Sequence, residues 1–87
     1  MAEQLQSKYD ENADVLYLSV GAPNRRARSK EDPYGLIWRT GPDGDCQGVT
    51  IRNLHRWMER RDELLKLIVA NMHVARNVAE DRIPAFA

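Results

Sequence analysis

The feature of the sequence that most restricts its fold is a change of hydrophobic period near residue 53. Before that point, short apolar runs such as Val15–Val20 are separated by turn residues, which is typical of β-strands. After it, apolar residues recur at helical spacing, which indicates an amphipathic helix. These residues are Leu64, Leu65, Ile68 and Met72. The predicted fold is of the α+β class, a small antiparallel β-meander of four or five strands over residues 5–53, with a C-terminal amphipathic helical segment over residues 54–82 packed on one face.

The strand predicted over Val15–Val20 is apolar toward both faces of the sheet, except at Ser19. One helix covers one face, so the other face requires a further layer. The 87 residues are expected to form a single domain, and so small a domain buries only roughly 60–65% of its unfolded surface. A twofold homodimer supplies the missing layer most simply, and we expect one.

The remaining strands are predicted from the turns that bound them. An Asp-Gly pair lies between two strand-like runs, residues 34–40 and 47–53, and indicates a hairpin. In the second run, Val49 and Ile51 are expected to face inward. Residues 25–30 are polar and charged, which is typical of an edge strand protected against aggregation.

The start of the helical segment has two interpretations. One helix can begin near Leu54 with Asn53 as its N-cap, or a short turn can precede a helix that begins near Asp62. Arginine and histidine side chains in the earlier stretch oppose the helix dipole, which favours the break. Pro84 ends any later helix at Arg82 or before.

Composition restricts the class of protein. The formal net charge is zero, so no overall field attracts the chain to nucleic acid or to membranes. Cys46 is the single cysteine, which excludes an internal disulfide framework and suits a reducing compartment. The N-terminal residues lack the apolar stretch of a signal peptide, and no run approaches the ~20 apolar residues of a membrane span. A cytoplasmic location without membrane contact is the expectation.

Two basic clusters are the candidate binding sites. Arginine near an aromatic ring suits contact with phosphates and bases, and it also suits acidic protein surfaces. The candidate binding residues are Arg25, Arg26 and Arg28 in the first cluster and Arg52, Arg56, Trp57, Arg60 and Arg61 in the second. A solvated edge strand and a solvated turn, with arginines paired to neighbouring carboxylates, would account for the same residues. The first functional hypothesis is an acidic protein partner, and the alternative is a nucleic-acid-binding dimer.

Carboxylates, histidines and the thiol do not form a recognisable catalytic or metal site. Asp10 and Asp14 are expected to close the first hairpin with side-chain-to-backbone bonds rather than to act as acid and base. Cys46, His55 and His73 are too widely spaced for a zinc finger, and no recognisable orienting group accompanies them. We therefore predict no catalytic residue, no cofactor and no metal, and an enzyme is the least supported function.

Residues 9–18, which read Tyr-Asp-Glu-Asn-Ala-Asp-Val-Leu-Tyr-Leu, resemble the opening of an uncharacterised bacterial family, domain-of-unknown-function family 2283. A later Asp-x-x-Gly turn and a Gly-Val/Ile-x-Ile strand complete the family pattern. The residues that correspond to it here are Asp43, Gly44, Gly48, Val49, Thr50 and Ile51. Residues 36–39 depart from the family's usual aliphatic and acidic run.

The resemblance spans residues 8–54 and implies a small β-meander domain of unassigned function. Some relatives are suspected antitoxin-like partners of small toxins, an association that maps onto no particular residue of this sequence. Together with the basic clusters, the resemblance favours a protein-binding or regulatory module that is not an enzyme.

Overall fold

The computed structural model describes residues 5–21 and 27–84, which form one sheet and a set of C-terminal helices. The strands are β1 (Leu5–Asp10), β2 (Val15–Val20), β3 (Arg28–Glu31), β4 (Leu36–Thr40) and β5 (Cys46–Arg52). The helices are α1 (Leu54–Trp57), α2 (Arg61–Met72) and α3 (Arg76–Arg82), with a 3₁₀ turn (Met58–Arg60) between the first two. The predicted α+β class, an antiparallel sheet with helices from the C-terminal part of the chain, is confirmed.

The strands lie in the order β1-β2-β5-β4-β3, and every neighbouring pair is antiparallel. This order differs from that of a consecutive meander, which would place β3 beside β2. Instead β5 lies between β2 and β4, where Ile51 faces Leu16 on one side and Leu36 on the other. The reason is that β5 has an apolar inward face whereas β3 is exposed throughout, so the polar strands β1 and β3 take the edges.

The helices pack on one face of the sheet and enclose the core with it. Every residue of the predicted helical stripe is at most 3% exposed, which confirms that the stripe packs on the sheet. The sheet contributes Leu16, Leu18 and Leu36, as well as Val49 and Ile51, which face inward as predicted. The last helix, α3, lies beside β1 and closes that end of the core.

The opposite face of the sheet carries a second set of apolar side chains that the helices leave uncovered. Val15 and Tyr17 on β2 alternate with the buried leucines of that strand and therefore point away from the helices. Thr50 on β5 is in register with Tyr17, and Ile37 on β4 is in register with Thr50. Both residues therefore lie on the same face as Tyr17. Tyr17 is 42% exposed there.

The helical segment begins at Leu54 and is interrupted, so each interpretation of its start describes part of the structure. Helix α2 begins at Arg61, after a break at Arg60, where φ is −125°. Asn53 stands at the N-cap position of α1, but its φ is 56° and its side chain makes no capping bond. The prediction of an Asn53 cap is therefore wrong, because a side-chain cap normally requires extended backbone at this position.

Asp14 caps α1 in place of Asn53. Its backbone carbonyl accepts a hydrogen bond from the Leu54 amide, and its Oδ2 accepts one from the His55 amide, each at 3.1 Å. Asp10 closes the hairpin as predicted, with Oδ1 accepting from the Asn12 amide at 3.0 Å. The same prediction for Asp14 is wrong. Its backbone is left-handed, with a φ of 55°, and its carboxylate accepts a backbone hydrogen bond from α1 and not from the hairpin.

Asp32 organises the turn between β3 and β4. Its Oδ1 accepts hydrogen bonds from the backbone amides of Tyr34 at 2.8 Å and Leu36 at 2.9 Å. Its Oδ2 accepts a third from Trp38 Nε1 at 2.8 Å. Gly35 completes the turn with a φ of 84°, a conformation that favours glycine. The strand predicted from residue 34 therefore begins at Leu36, and Tyr34 projects from the turn.

Candidate functional site

A groove of about 400 Å³ lies at the end of the sheet where β5 leads into α1. Its walls come from the β3–β4 turn, from the end of β5, and from α1 with the 3₁₀ turn that follows it. The lining residues are Tyr34, Gly35, Arg52, Asn53, Arg56, Trp57 and Arg60. Three arginines and two aromatic residues therefore meet at one surface, which we call the arginine groove.

The local backbone explains why the three arginines converge. Arg52 is the last residue of β5, Arg56 belongs to α1, and Arg60 ends the 3₁₀ turn. The left-handed conformation of Asn53 turns the chain between strand and helix, and the four-residue spacing of Arg56 and Arg60 places those two on the same side of the helical segment. Four of the eight predicted binding residues, these arginines and Trp57, thus line one groove.

The other predicted binding residues lie elsewhere. Arg61 points toward α3, where its Nη2 donates a hydrogen bond to the carbonyl of Glu80 at 3.2 Å. Arg28 pairs with the last residue of β4, whereas the groove adjoins the beginning of that strand. Arg25 and Arg26 lie outside the described residues. Within the described residues, therefore, the two basic clusters do not meet.

The three groove arginines differ in their ion pairs. Arg52 Nη2 donates to Glu31 Oε1 at 2.7 Å, and Arg60 Nε donates to Glu63 Oε2 at 3.1 Å. The hydrogen bond to Glu63 raises the pKa of the Arg60 guanidinium above its ordinary value. Within residues 5–21 and 27–84, no carboxylate pairs with the Arg56 side chain. The groove therefore presents one uncommitted cation between two exposed ion pairs.

The two aromatic residues of the groove have different exposures. Trp57 is 9% exposed and belongs to the core, and the Arg60 guanidinium carbon lies 5.4 Å from its ring centroid, in a cation–π contact. Tyr34 is 55% exposed at the opposite wall. Tyr34 was not among the predicted binding residues, although an aromatic residue inside an Asp-Pro-x-Gly turn is a signal of exposure. Trp57 therefore forms the base of the groove and Tyr34 its accessible rim.

A second polar cluster joins the first hairpin to α1. The Tyr9 hydroxyl donates a hydrogen bond to Asp14 Oδ1 at 2.7 Å, and His55 Nδ1 lies 2.8 Å from the same oxygen. The bond to Asp14 raises the pKa of Tyr9 to about 12. The same bond, followed by those to His55, holds the pKa of Asp14 below its ordinary value.

This second cluster has a structural role. A carboxylate that orients a histidine also occurs in acid–base catalysis, so the pair invites that comparison. Here, however, the Asp14 oxygens hold the hairpin against the first backbone amides of α1. Because α1 carries Arg56 and Trp57, the cluster fixes the position of one wall of the arginine groove.

No protein-family model matches this chain, and neither a curated protein nor a solved structure matches it. The resemblance to family 2283 stays a prediction, and Tyr9, Asp10 and Asp14, which carry part of it, shape the hairpin and cap α1. Within residues 5–21 and 27–84, no group of three acidic, histidine or cysteine side chains could hold a metal ion. No helix in those ranges has the length and apolar character needed to cross a membrane.

Proposed function

We propose that this protein is a non-enzymatic binding module that recognises an acidic segment of a partner protein at the arginine groove. The observation that supports the proposal is the position of Arg56, which lies between two ion-paired arginines and has no carboxylate partner among the described residues. A planar guanidinium can donate two parallel hydrogen bonds to one carboxylate. Tyr34, at the rim, offers a ring and a hydroxyl to the residue beside that carboxylate.

The neighbouring ion pairs allow a longer acidic segment to bind. Arg52 and Glu31 are 49% and 55% exposed in their side chains, and Arg60 and Glu63 are 53% and 56% exposed. Ion pairs this accessible are weak in water, so an incoming carboxylate can replace either glutamate. The groove would then accept one acidic residue at Arg56 and further ones by exchange.

Nucleic acid is the alternative ligand, and the distribution of charge supports it less. Binding to phosphates independently of sequence gains its affinity from many neutralised charges at once, whereas the groove brings only three arginines together. The Arg60 guanidinium already lies over the Trp57 ring, so that ring is not a platform for stacking a base. The zero formal net charge adds no general attraction.

The proposed setting is the cytoplasm, and the proposed role is regulatory, in the antitoxin-like manner that the resemblance implies. Cys46, the single cysteine, suits a reducing compartment. Burial raises the pKa of the Cys46 thiol, which disfavours the reactive thiolate and supports a role other than catalysis.

Fluorescence anisotropy with labelled peptides tests the proposal. The probes are a glutamate-rich peptide that contains one tyrosine, its glutamine counterpart of equal length, and a single-stranded oligonucleotide. We expect the acidic peptide to bind in the micromolar range and its glutamine counterpart not to bind. Arg56→Ala should weaken acidic-peptide binding about tenfold, which corresponds to the loss of one strong charged contact.

Arg28→Ala is the matched control. Arg28 is also an exposed arginine, but it lies on β3 beside the end of β4 that is remote from the groove. It should leave binding of the acidic peptide unchanged. Equal losses in the two variants would mean that general charge, and not the groove, attracts the peptide. Binding of the oligonucleotide in preference to the peptide, with loss in Arg56→Ala, would replace the proposal with the nucleic-acid alternative.

A further inference from the structure

The hydrogen-bond donors of the arginine groove outnumber what a single carboxylate can accept. Three guanidinium groups line the groove, and each carries several N–H donors in a planar fork. A carboxylate has only two oxygens, so Arg56 alone satisfies it through two parallel hydrogen bonds. Arg52 and Arg60 then stay with their glutamate partners. A group that also engages these neighbouring arginines needs more acceptor oxygens and more negative charge than a carboxylate has.

A phosphorylated side chain has that chemistry. A phosphate monoester carries a charge of about −1.5 to −2 near neutral pH, and its three terminal oxygens accept strong hydrogen bonds. They can bind Arg56 and, at the same time, a neighbouring arginine whose exposed ion pair the phosphate replaces. Three arginines are too few for the many phosphates of a nucleic-acid backbone, but they suffice for one. The donor set of the groove therefore fits a single phosphate group.

The aromatic residues of the groove indicate which phosphorylated residue fits. The guanidinium carbon of Arg60 lies 5.4 Å from the centroid of the Trp57 ring, and the Arg60 side chain is 53% exposed. Because guanidinium groups stack on aromatic faces, the side of this group that faces away from Trp57 can receive a second ring. Tyr34 offers an aromatic contact from the opposite wall. The volume of about 400 Å³ lies within the range of ~300–1,000 Å³ that is usual for small-ligand pockets, so a ring can enter together with the phosphate.

We propose that the acidic segment of the partner carries a phosphotyrosine, whose phosphate binds Arg56 and whose ring lies between Tyr34 and Arg60. This inference rests on the proposed function of the arginine groove, and it names the residue at the centre of the bound segment. Acidic residues on either side of the phosphotyrosine would exchange with Glu31 and Glu63. The groove would then read a modification of the partner as well as its acidity.

Both walls of the groove are held in place by hydrogen bonds within the chain. Asp32 Oδ1 accepts a bond from the Tyr34 amide at 2.8 Å, which fixes the turn that carries the Tyr34 ring. On the other side, Asp14 Oδ2 accepts a bond from the His55 amide at 3.1 Å, directly before Arg56. A site whose walls are fixed in advance loses little conformational entropy when it binds, so contacts with the phosphate and the ring contribute to affinity.

Fluorescence anisotropy with three peptides tests the inference. The peptides share the same glutamates and differ at a central residue, which is tyrosine, phosphotyrosine or phosphoserine. We expect the phosphotyrosine peptide to bind at least about tenfold more tightly than the tyrosine peptide, and also more tightly than the phosphoserine peptide. Arg56→Lys keeps the charge but removes the planar fork, so the preference for phosphotyrosine over tyrosine should fall severalfold. Tyr34→Ala should reduce the preference for phosphotyrosine over phosphoserine, because the ring loses one contact.

A fourth peptide separates the phosphate group from its charge. It contains tyrosine and two further glutamates, so its net charge is close to that of the phosphotyrosine peptide, and it should bind more weakly. Equal binding of these two peptides, or an unchanged preference in Arg56→Lys, would overturn the inference and leave the proposed function standing. If none of the four peptides binds, the proposed function fails as well. Arg28→Ala, outside the groove, is the control variant and should leave every preference unchanged.

Discussion

The carboxylate of Asp14 accepts a hydrogen bond from the backbone amide of His55, which follows it by 41 positions in the chain. This bond connects the tip of the first hairpin to the first turn of the helical segment. A second bond, from the Tyr9 hydroxyl, holds the same carboxylate from the strand side. Asp14 is therefore bonded both to β1 and to α1, and it holds α1 in one direction relative to the sheet.

The ionisation of Asp14 should make stability depend on pH. The pKa of Asp14 is lower in the folded protein than in the unfolded chain. The stability that the ionised carboxylate adds is therefore complete above the unfolded pKa of about 3.9, and it is lost as pH falls through the folded pKa. We expect Asp14→Asn to destabilise the protein at neutral pH, and the difference from the unsubstituted chain to shrink as pH falls below about 4. Urea unfolding between neutral and acid pH measures both quantities.

Asparagine also tolerates the left-handed backbone of Asp14, so Asp14→Asn tests the carboxylate and not the conformation. Asp43→Asn, in an exposed turn, is the control and should not lower the free energy of unfolding at neutral pH. A pH profile for Asp14→Asn parallel to that of the unsubstituted chain would contradict the prediction.

The Tyr9 hydroxyl should ionise at unusually high pH. The bond to Asp14 raises the pKa of Tyr9 to about 12 in the folded protein, so the stability that it adds is complete below about 10 and is lost as pH rises through the folded value. Ultraviolet absorbance should show a tyrosine phase that ionises near pH 12, above the ordinary tyrosine value of about 10. Tyr9→Phe should remove that late phase, and a late phase that persists in Tyr9→Phe would assign it to another residue.

The helical stripe should contribute strongly to stability. Leu65 is 2% exposed and Ile68 is fully buried against the sheet, so either alanine substitution removes packed methyl groups and leaves a cavity. We expect each to lower the free energy of unfolding by about 2–4 kcal/mol in urea denaturation. Lys66→Ala, on the exposed side of the same helix, should change it by less than about 0.5 kcal/mol. Losses below about 1 kcal/mol at both core positions would contradict the packing.

The Asp32 turn should matter more than its surface position suggests. Asp32→Ala removes three hydrogen bonds at once and leaves the Trp38 indole N–H without its acceptor. We expect a loss of about 1–3 kcal/mol in the free energy of unfolding, together with weaker binding at the arginine groove, because Tyr34 loses its anchor. Asp43→Ala is the matched control, and an equal loss there would show that the effect belongs to turns in general.

The inward faces of the elements could be predicted because they follow directly from hydrophobic period. Val49 and Ile51 alternate with polar neighbours, and Leu64, Leu65 and Ile68 recur at helical spacing. Both patterns predict burial, and all five side chains lie in the core. The position of β5 beside β2 could not be predicted in this way. Strand order depends on which apolar faces match in three dimensions, and local sequence carries little information about that choice.

The candidate site was predictable in part for a similar reason. Arg52, Arg56 and Arg60 are close in sequence, so a turn and a short helix suffice to bring them together. Tyr34 reaches the same groove from another turn, through the pairing of β4 with β5, so no local pattern in the sequence places it there. The capping role of Asp14 could not be predicted either, because its partner His55 is distant in sequence.

The strand order also bears on how the chain folds. The β1–β2 hairpin and the β3–β4–β5 unit each pair strands that are adjacent in sequence, and such local contacts form early. Pairing of β2 with β5 joins Leu18 to Val49, 31 positions later, and must close a long loop first. We therefore expect the rate-limiting step to be the docking of these two preformed pieces, with the bonds between Asp14 and His55 forming as they meet.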